Sequence, residues 1–381
     1  MTSLNQLQKL THLPAEDLPD VTLSPSLVIL SGAKNDRWED GRSSHVRFYS
    51  WLPLDIRGAK GFVRFALAAL FCLVIQRQAL AESPLRIGTI FSVTQAPLWV
   101  AMEARLFEKY GIKNIEVIRF SGGQPVTRSL IAGDIQISTT GGAAVVNARL
   151  KGADVVIVAR TVGVFPYTLY VSKDIREPMD LKGKKLAVSS IGGSGYVAAV
   201  YALKQLGLDP EKDVTMLQLG DFGTRLGALA VGNVQGTLLL PPFTIRAREL
   251  GLRPLYDLVG SGIQYPINQI TTSQSFIKTQ RETMKAFLKG LVVGLARFRT
   301  ERDFGISVLS KNLREKDPKI LQETYDFWLK VFPKIPYPGP EDATIFLDFM
   351  QVKGQHDPKE FVDASLMEEL EREGFLAGAY K

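Results

Sequence analysis

Nucleophilic and metal chemistry leans on cysteine, histidine and clustered carboxylates, and this sequence is poor in the first two. Its 381 residues include one cysteine, Cys72, and three histidines, His12, His45 and His356. With residues 1–81 removed, only His356 would remain. Such a mature chain excludes disulfides, thiolate zinc sites, cysteine nucleophiles and multi-histidine metal centres. A Ser-His-Asp arrangement would have to recruit His356, which stands in the polar segment QHDPKE and reads as a surface residue. One nucleotide-like pattern is present. In GGSGYVAA, which follows the apolar run KLAVS, Gly193, Gly195 and Ala198 satisfy a loose G-x-G-x-x-A spacing. Asp221 follows the next strand-like run, TMLQL, where a dinucleotide site would want an acid. The pattern is weak by itself.

The elements that would carry such turns are clearest between Arg86 and Gly111. RIGTI suits a short buried strand, FSVTQAP a loop, and LWVAMEARLFEKYG a helix. Leu98, Ala101, Met102, Arg105 and Leu106 fall at helical spacing, with Pro97 near the start and Gly111 at the close. Strand, loop and helix in that order put free helix N–H groups at the carboxyl end of a strand, where open α/β sheets bind ligands. The arrangement recurs ninety-nine positions later. Arg86 matches Lys185 at the strand starts, and Asp134 of SLIAGDIQIST matches Asn233 of ALAVGNVQGTL. Two matches at one offset predict two similar α/β lobes. The plainer alternative is that helix–Gly–strand units recur in any α/β protein.

Hydrophobic residues make up 45% of the chain and charged residues 22%, as in ordinary globular proteins. The net charge of +7 divides into +2 for residues 1–81 and +5 for the rest, with no Lys/Arg run of the kind that tracks nucleic acid. Residues 1–58 show no sustained period and read as a low-order extension. Residues 59–81 have the layout of a secretory signal peptide. Arg57, Lys60 and Arg64 form a basic front, Phe65–Ile75 an apolar core, and Ala79-Leu80-Ala81 a small-x-small cleavage site. Eleven helical residues reach roughly 17 Å, short of the roughly 30 Å hydrocarbon layer. A signal so far into the chain predicts a translation start near residue 60, from a non-standard codon because no Met lies between Met1 and Met102. The competing reading is a cytoplasmic tail before an uncleaved anchor.

The expected division is lobe 1 at 84–172 and 268–381, with lobe 2 at 173–267. TLYVS, at 168–172, is the outgoing strand and NQITTS, at 268–273, the returning one. Mostly helical sequence follows from about 280. Two crossings imply a two-strand hinge and a cleft that closes.

The ordered set RIG, APLWVAMEARLFEKYGI, GGQ, LIAGDIQIS, GGAA, LKGADVVIVA, DLKGKKLAV, GGSG, LDPEKDV and LAVGNVQG resembles the substrate-binding proteins of nitrate/sulfonate/taurine-type ABC transporters. That group also includes binders and a synthase of the thiamine pyrimidine. The resemblance covers about 84–375 and implies a type II periplasmic-binding fold. Each lobe would be a mostly parallel sheet flanked by helices, with ligand held between the lobes. It places Ser92, Thr94 and Gln95 of the first loop, Thr140, Gly141 and Gly142 of the TTGG turn, and Ser190, Gly193, Ser194 and Gly195 of the GGSG turn at the ligand. Pro241 and Pro242 match the strand end of the second lobe. Paired helix N-termini suit a carboxylate, sulfonate or similar oxyanion. Phe165 and Tyr167 would stack on the ligand, Arg160 and Arg225 are the best-placed cations, and Asp221 would take a ligand amine.

Each residue also has a plain structural reading: backbone geometry for the glycines, core or hinge packing for the aromatics, solvation or ion pairing for the arginines, and helix capping for Asp221. The expected function is a periplasmic solute-binding component of an ABC importer. It would be a monomer without cofactor, metal or nucleic acid, with a small-molecule ligand and an inner-membrane ABC permease as partners. The alternatives are an enzyme on the same fold, pyrimidine-synthase-like or nucleotide-dependent, and a ligand-sensing module. The synthase's cysteine-rich motif and active-site histidine have no counterpart in the expected mature chain, which argues against that branch.

Overall fold

The computed structural model describes residues 83–261, 263–349, 352 and 356–381. The expected extension and signal peptide lie outside these residues. Among them, no helix is long and apolar enough to cross a membrane.

The apolar runs seen in the sequence become the strands of two five-stranded sheets. The first contains β1 (Leu85–Ile90), β2 (Ile115–Phe120), β3 (Ile137–Thr140), β4 (Val156–Val164) and β10 (Gln264–Thr272), in the order β2-β1-β3-β10-β4. β1 pairs in parallel with β2 and β3, and β10 runs antiparallel between β3 and β4. The second contains β5 (Thr168–Val171), β6 (Lys184–Val188), β7 (Val214–Gln218), β8 (Gly236–Leu239) and β9 (Arg253–Asp257), in the order β7-β6-β8-β5-β9. Here β6 is parallel to β7 and β8, and β5 is the antiparallel strand. The sheets share one topology, and their matching strands begin ninety-nine positions apart (85 and 184, 115 and 214, 137 and 236). The match reaches single hydrogen bonds. Gln136 Oε1 accepts from Arg86 N and Gln235 Oε1 from Lys185 N, at 2.9 and 3.2 Å.

The expected lobe boundary shifts. Thr168–Val171, placed with the first lobe, pairs with β8 and β9 and belongs to the second sheet. The returning strand starts at Gln264, earlier than 268. β10 is buried along almost its whole length, held between β3 and β4.

Helices cover the sheets. In the first unit these are α1 (Ala96–Glu103), α2 (Leu106–Lys109), α3 (Gly123–Ala132) and α4 (Ala143–Leu150). The second has α5 (Ser194–Gln205), α6 (Phe222–Ala230) and α7 (Phe243–Glu249). After β10 come α8 (Gln274–Thr279), α9 (Arg281–Thr300), α10 (Arg302–Leu313), α11 (Pro318–Val331), α12 (Glu341–Phe349), α13 (Ser365–Arg372) and α14 (Phe375–Gly378). The single helix expected up to Gly111 is interrupted at Arg105, which adopts a left-handed φ of 53°. The turn lets Leu106 and Phe107 reach the core, where Phe107 stacks on Phe287 of α9 at 5.2 Å. Gly294 of α9 lies against the Pro97 carbonyl and Ala101, so closely that a Cβ would stand 2.4 Å from that oxygen. α9 can therefore lie directly on α1 only because position 294 has no side chain. The chain passes between sheets at 165–167 and again at 258–263, and apolar packing is continuous across both crossings.

Candidate functional site

The carboxyl ends of both sheets face each other, and the loops there enclose a narrow cavity of about 40 Å³. The first sheet contributes Ile90 and Phe91 after β1, Phe120 to Gly123 between β2 and α3, and Thr140 and Gly141 after β3. The second contributes Ser189 after β6, Ser194 and Gly195 at the start of α5, and Gly220, Asp221, Phe222 and Arg225 around the start of α6. Tyr167 and Ile267, from beside the two crossings, complete the wall. Three helices of eight residues or more, α3, α5 and α6, begin at this cavity. Their first N–H groups and the positive ends of their dipoles converge there.

Arg225 is the cation of the site. Its residue is 3% exposed. Nε donates to the Gly220 carbonyl at 3.2 Å, and Nη1 donates to Thr237 Oγ1 at 3.2 Å and the Leu238 carbonyl at 2.9 Å. These acceptors are neutral. Among the described residues Arg225 forms no ion pair, and Nη2 makes no hydrogen bond. The guanidinium lies 4.3 Å from the centre of the Phe222 ring. Burial lowers its pKa to about 10, against the opposing influence of Tyr167 and Asp221. The Tyr167 hydroxyl is raised by burial to about 12, although Arg225 draws it down. A buried charge without a counter-ion is costly, and a bound anion removes the cost.

Asp221 caps α6. Oδ1 accepts from Thr224 N at 2.9 Å and Oδ2 from the Thr224 hydroxyl at 2.8 Å. Burial pushes its carboxyl up, but these bonds and the Gly223 N–H outweigh burial and hold it below the ordinary value.

The seam between the two sheets is made of small residues. A Cβ on Gly141 would stand 1.8 Å from Ser194 Oγ, and one on Gly122 would stand 2.8 Å from Ser190 Cβ and Oγ. The Oγ atoms of Ser190 and Ser194 are buried without a hydrogen-bond partner. Gln124 Nε2 reaches the Gly192 carbonyl at 3.5 Å.

Of the residues expected at the ligand, Thr140, Gly141, Tyr167, Ser194, Gly195, Asp221 and Arg225 line the cavity. The others are placed elsewhere. Ser92, Thr94 and Gln95 are 1–3% exposed and turn inward. Ser92 Oγ accepts from Thr94 N, and Gln95 Nε2 donates to the Thr139 carbonyl and Asn268 Oδ1 at 3.0 and 2.9 Å. Asn268 Nδ2 then donates to Thr161 Oγ1 at 2.7 Å. This network ties α1 to β3, β4 and β10 beneath the cavity. Gly142 packs on Gln269 and Phe346 within its own lobe.

Arg160 is drawn away by carboxylates, pairing with Asp342 at 2.9 Å and Glu341 at 3.3 Å. The Asp342 side chain is fully buried, and burial raises its carboxyl to about 6 despite Arg160 and the Gly339 N–H. Phe165 is 1% exposed and stacks on Tyr265 at 4.2 Å. Ser190 is buried behind Gly122, and Gly193 is the N-cap of α5. The Pro241 carbonyl accepts from Trp328 Nε1 at 3.3 Å, and Pro242 begins α7.

The cavity residues not anticipated are Ile90, Phe91, Phe120, Ser121, Gly122, Gly123, Ser189, Gly220, Phe222 and Ile267. The duplication held a signal for several of them. Asp221, already flagged, lies ninety-nine positions after Gly122, so the SGGQ loop had to reach the same place from the other side.

The profile of the NMT1-like family matches residues 78–298, and the chain belongs to that family. It is 27% identical over 231 residues to the taurine-binding periplasmic protein of Escherichia coli strain K12, covering 59% of this chain and 69% of that one. Among solved structures, it shares the fold of the alkanesulfonate-binding protein SsuA from Xanthomonas axonopodis pv. citri bound to MOPS. That likeness has a TM-score of 0.62 and 20% identity, covering 76% of this chain and 97% of that one. It also shares the fold of the desulfurization enzyme DSZB, with a TM-score of 0.55 and 16% identity over 76% and 99% of the two chains. The architecture is the two-lobed α/β fold of periplasmic binding proteins.

Proposed function

We propose that this protein is the periplasmic solute-binding component of an ABC importer and captures a small organic or oxyanionic solute between its lobes. The observation that carries the reading is Arg225. Among the described residues, a buried guanidinium without an ion-pair partner faces a cleft where three helix N-termini converge. An oxyanion supplies the missing charge and accepts from the idle Nη2 and from backbone N–H groups. Relatives that bind taurine and alkanesulfonate support the same ligand chemistry. Ligand-dependent closure would present one shape to a membrane permease, with the protein acting outside the cytoplasm as a monomer and without a cofactor.

A desulfurization enzyme on the same fold gives an enzymatic reading a specific footing. Among the described residues the cavity wall holds no cysteine or histidine, so a hydrolytic or group-transfer step would fall to hydroxyls of serine, Thr140 or Tyr167 or to the Asp221 carboxylate.

A thermal-shift screen of the purified protein against nitrate, alkanesulfonates, taurine and carboxylates tests the proposal, with recovery of each hit for product analysis. A solute at a hundredfold excess over its dissociation constant stabilises by about 2.7 kcal/mol. At least one oxyanion should raise the melting temperature and be recovered unchanged. A converted product would overturn the transport reading in favour of an enzyme. Absence of any shift across the anions would overturn the oxyanion assignment.

A further inference from the structure

Thr237 sits one layer behind the cleft. It lies on β8, is fully buried and does not line the cavity. Its hydroxyl has one proton to give, and the Ala187 carbonyl of β6 takes it at 2.9 Å. The oxygen is left as an acceptor, and Arg225 Nη1 donates to it at 3.2 Å. The second Nη1 proton goes to the Leu238 carbonyl and the Nε proton to the Gly220 carbonyl. A guanidinium has five N–H groups, so the two on Nη2 remain. A two-nitrogen fork needs Nη2 together with Nη1 or Nε, and both of those are engaged. Phe222 covers one face of the group at 4.3 Å and is itself stacked on Phe243 at 5.5 Å.

The first lobe carries the same strand hydroxyl without the arginine. Ninety-nine positions before Thr237 and Arg225 stand Ser138 of β3 and Val126 of α3. Ser138 is fully buried, and among the described residues its Oγ has no hydrogen-bond partner. The hydroxyl that meets neither a strand carbonyl nor a helix side chain in one lobe meets both in the other.

We propose that Thr237 is a positioning residue for Arg225, fixing the guanidinium so that it meets an anion through Nη2 alone and not as a two-nitrogen fork. The proposal rests on the reading of Arg225 as the anion-binding group of the cleft and names what holds that group in place.

Nitrogen-15 spectra of the arginine side chains in the full chain test it, with Arg225 assigned from Arg225→Gln. In the ligand-free protein the two Nη1 protons should give separate signals, because their acceptors hinder rotation. Methanesulfonate, taurine, nitrate and acetate are the probes. A saturating probe should shift Nη2 and leave Nη1 in place. Thr237→Val should merge or broaden the Nη1 signals and weaken probe binding about five- to tenfold in isothermal titration. Thr237→Ser, which restores the hydroxyl, should recover both, and Ser138→Ala should change neither. Nη1 signals unaltered in Thr237→Val overturn the proposal, as does an equal loss of affinity in Ser138→Ala or a probe that shifts Nη1 and Nη2 together. If Thr237→Val does not fold, Thr237→Ala takes its place, and the wild-type shift pattern decides without either. Failure of every probe to bind overturns the solute-binding reading, while the ligand-free signals still decide whether Thr237 fixes the guanidinium.

Discussion

Gly141 and Gly142 are adjacent, and one added methyl group at each should have opposite consequences. A Cβ on Gly141 would stand 1.8 Å from Ser194 Oγ, 2.8 Å from Ser194 Cβ and 3.1 Å from the Ile267 carbonyl. Ser194 begins α5 in the other lobe. Rotation of its hydroxyl relieves the first contact but not the second, so the lobes must separate. A Cβ on Gly142 instead meets Gln269 Oε1 at 1.7 Å and Phe346 Cε2 at 2.8 Å, both in its own lobe. Neither glycine has a positive φ, so alanine brings steric conflict without backbone strain.

Overpacking of this kind costs about 1–3 kcal/mol. Charged against the closed form alone, that weakens ligand binding by about 5- to 150-fold, at 1.4 kcal/mol per factor of ten. Gly141→Ala should therefore lose affinity with little change in the melt of the ligand-free protein. Gly142→Ala should instead lower that melt by several degrees, at about 2–4 °C per kcal/mol for a domain of this size. Titration of a solute from the screen and a melt of each variant read both quantities. Replacing Ser194 by glycine in the Gly141→Ala background removes both serine contacts and should restore much of the affinity. Undiminished binding by Gly141→Ala would show that the lobes do not close through this seam.

Other variants probe the site and its supports. Asp342 has a folded pKa of about 6 against an ordinary 3.8, so its contribution to stability is full below the ordinary value and is lost as pH rises through 6. Linkage gives a loss of about 1.4 kcal/mol between pH 5 and 7.5. Melts of wild type and Asp342→Asn across that range should diverge in slope by this amount, and parallel curves would contradict it. Asp221→Ala removes the N-cap of α6 and should cost about 1 kcal/mol in a denaturant titration, with Asp221→Ser recovering most of it. Arg225→Gln should abolish the ligand-induced shift while changing the ligand-free melt little. It removes a costly buried charge but also leaves the Gly220 and Leu238 carbonyls without their donor. A large loss of ligand-free stability would instead mark Arg225 as structural.

Strand ends were legible because buried parallel strands are short apolar runs and the duplication repeats them at one spacing. The family resemblance set the turns TTGG and GGSG, and Asp221 in the loop before α6, at the ligand, and residues of all three reach the cavity. Side-chain direction was not legible. Ser92, Thr94 and Gln95 sit on the expected loop, yet Ser92 Oγ accepts from Thr94 N, and Gln95 and the Thr94 carbonyl meet Thr139 and Asn268, up to 174 positions away. Arg160 and Arg225 looked alike as arginines near strand ends. What separates them is Glu341 and Asp342, 181 and 182 positions from Arg160, which neutralise one and leave the other. Phe91 and Phe120 are not legible as wall residues because an aromatic at a strand end reads as core, and only the opposed lobe turns it into a wall.

The duplication also shows which parts of the site departed from a shared plan. Shifted by ninety-nine positions, Asp221 falls on Gly122 and Phe222 on Gly123, the corresponding helix starts in the two lobes. Arg225 falls on Val126, which is fully buried in the core of the first lobe. The same position on the same helix is thus an ordinary apolar anchor in one lobe and a charged group in the other. Folding alone favours the valine, because burying a guanidinium costs free energy that packing does not return. Three neutral acceptors hold that guanidinium where α3, α5 and α6 begin. An arginine kept at a core position, on a helix whose twin does without one, is what the proposed oxyanion ligand predicts.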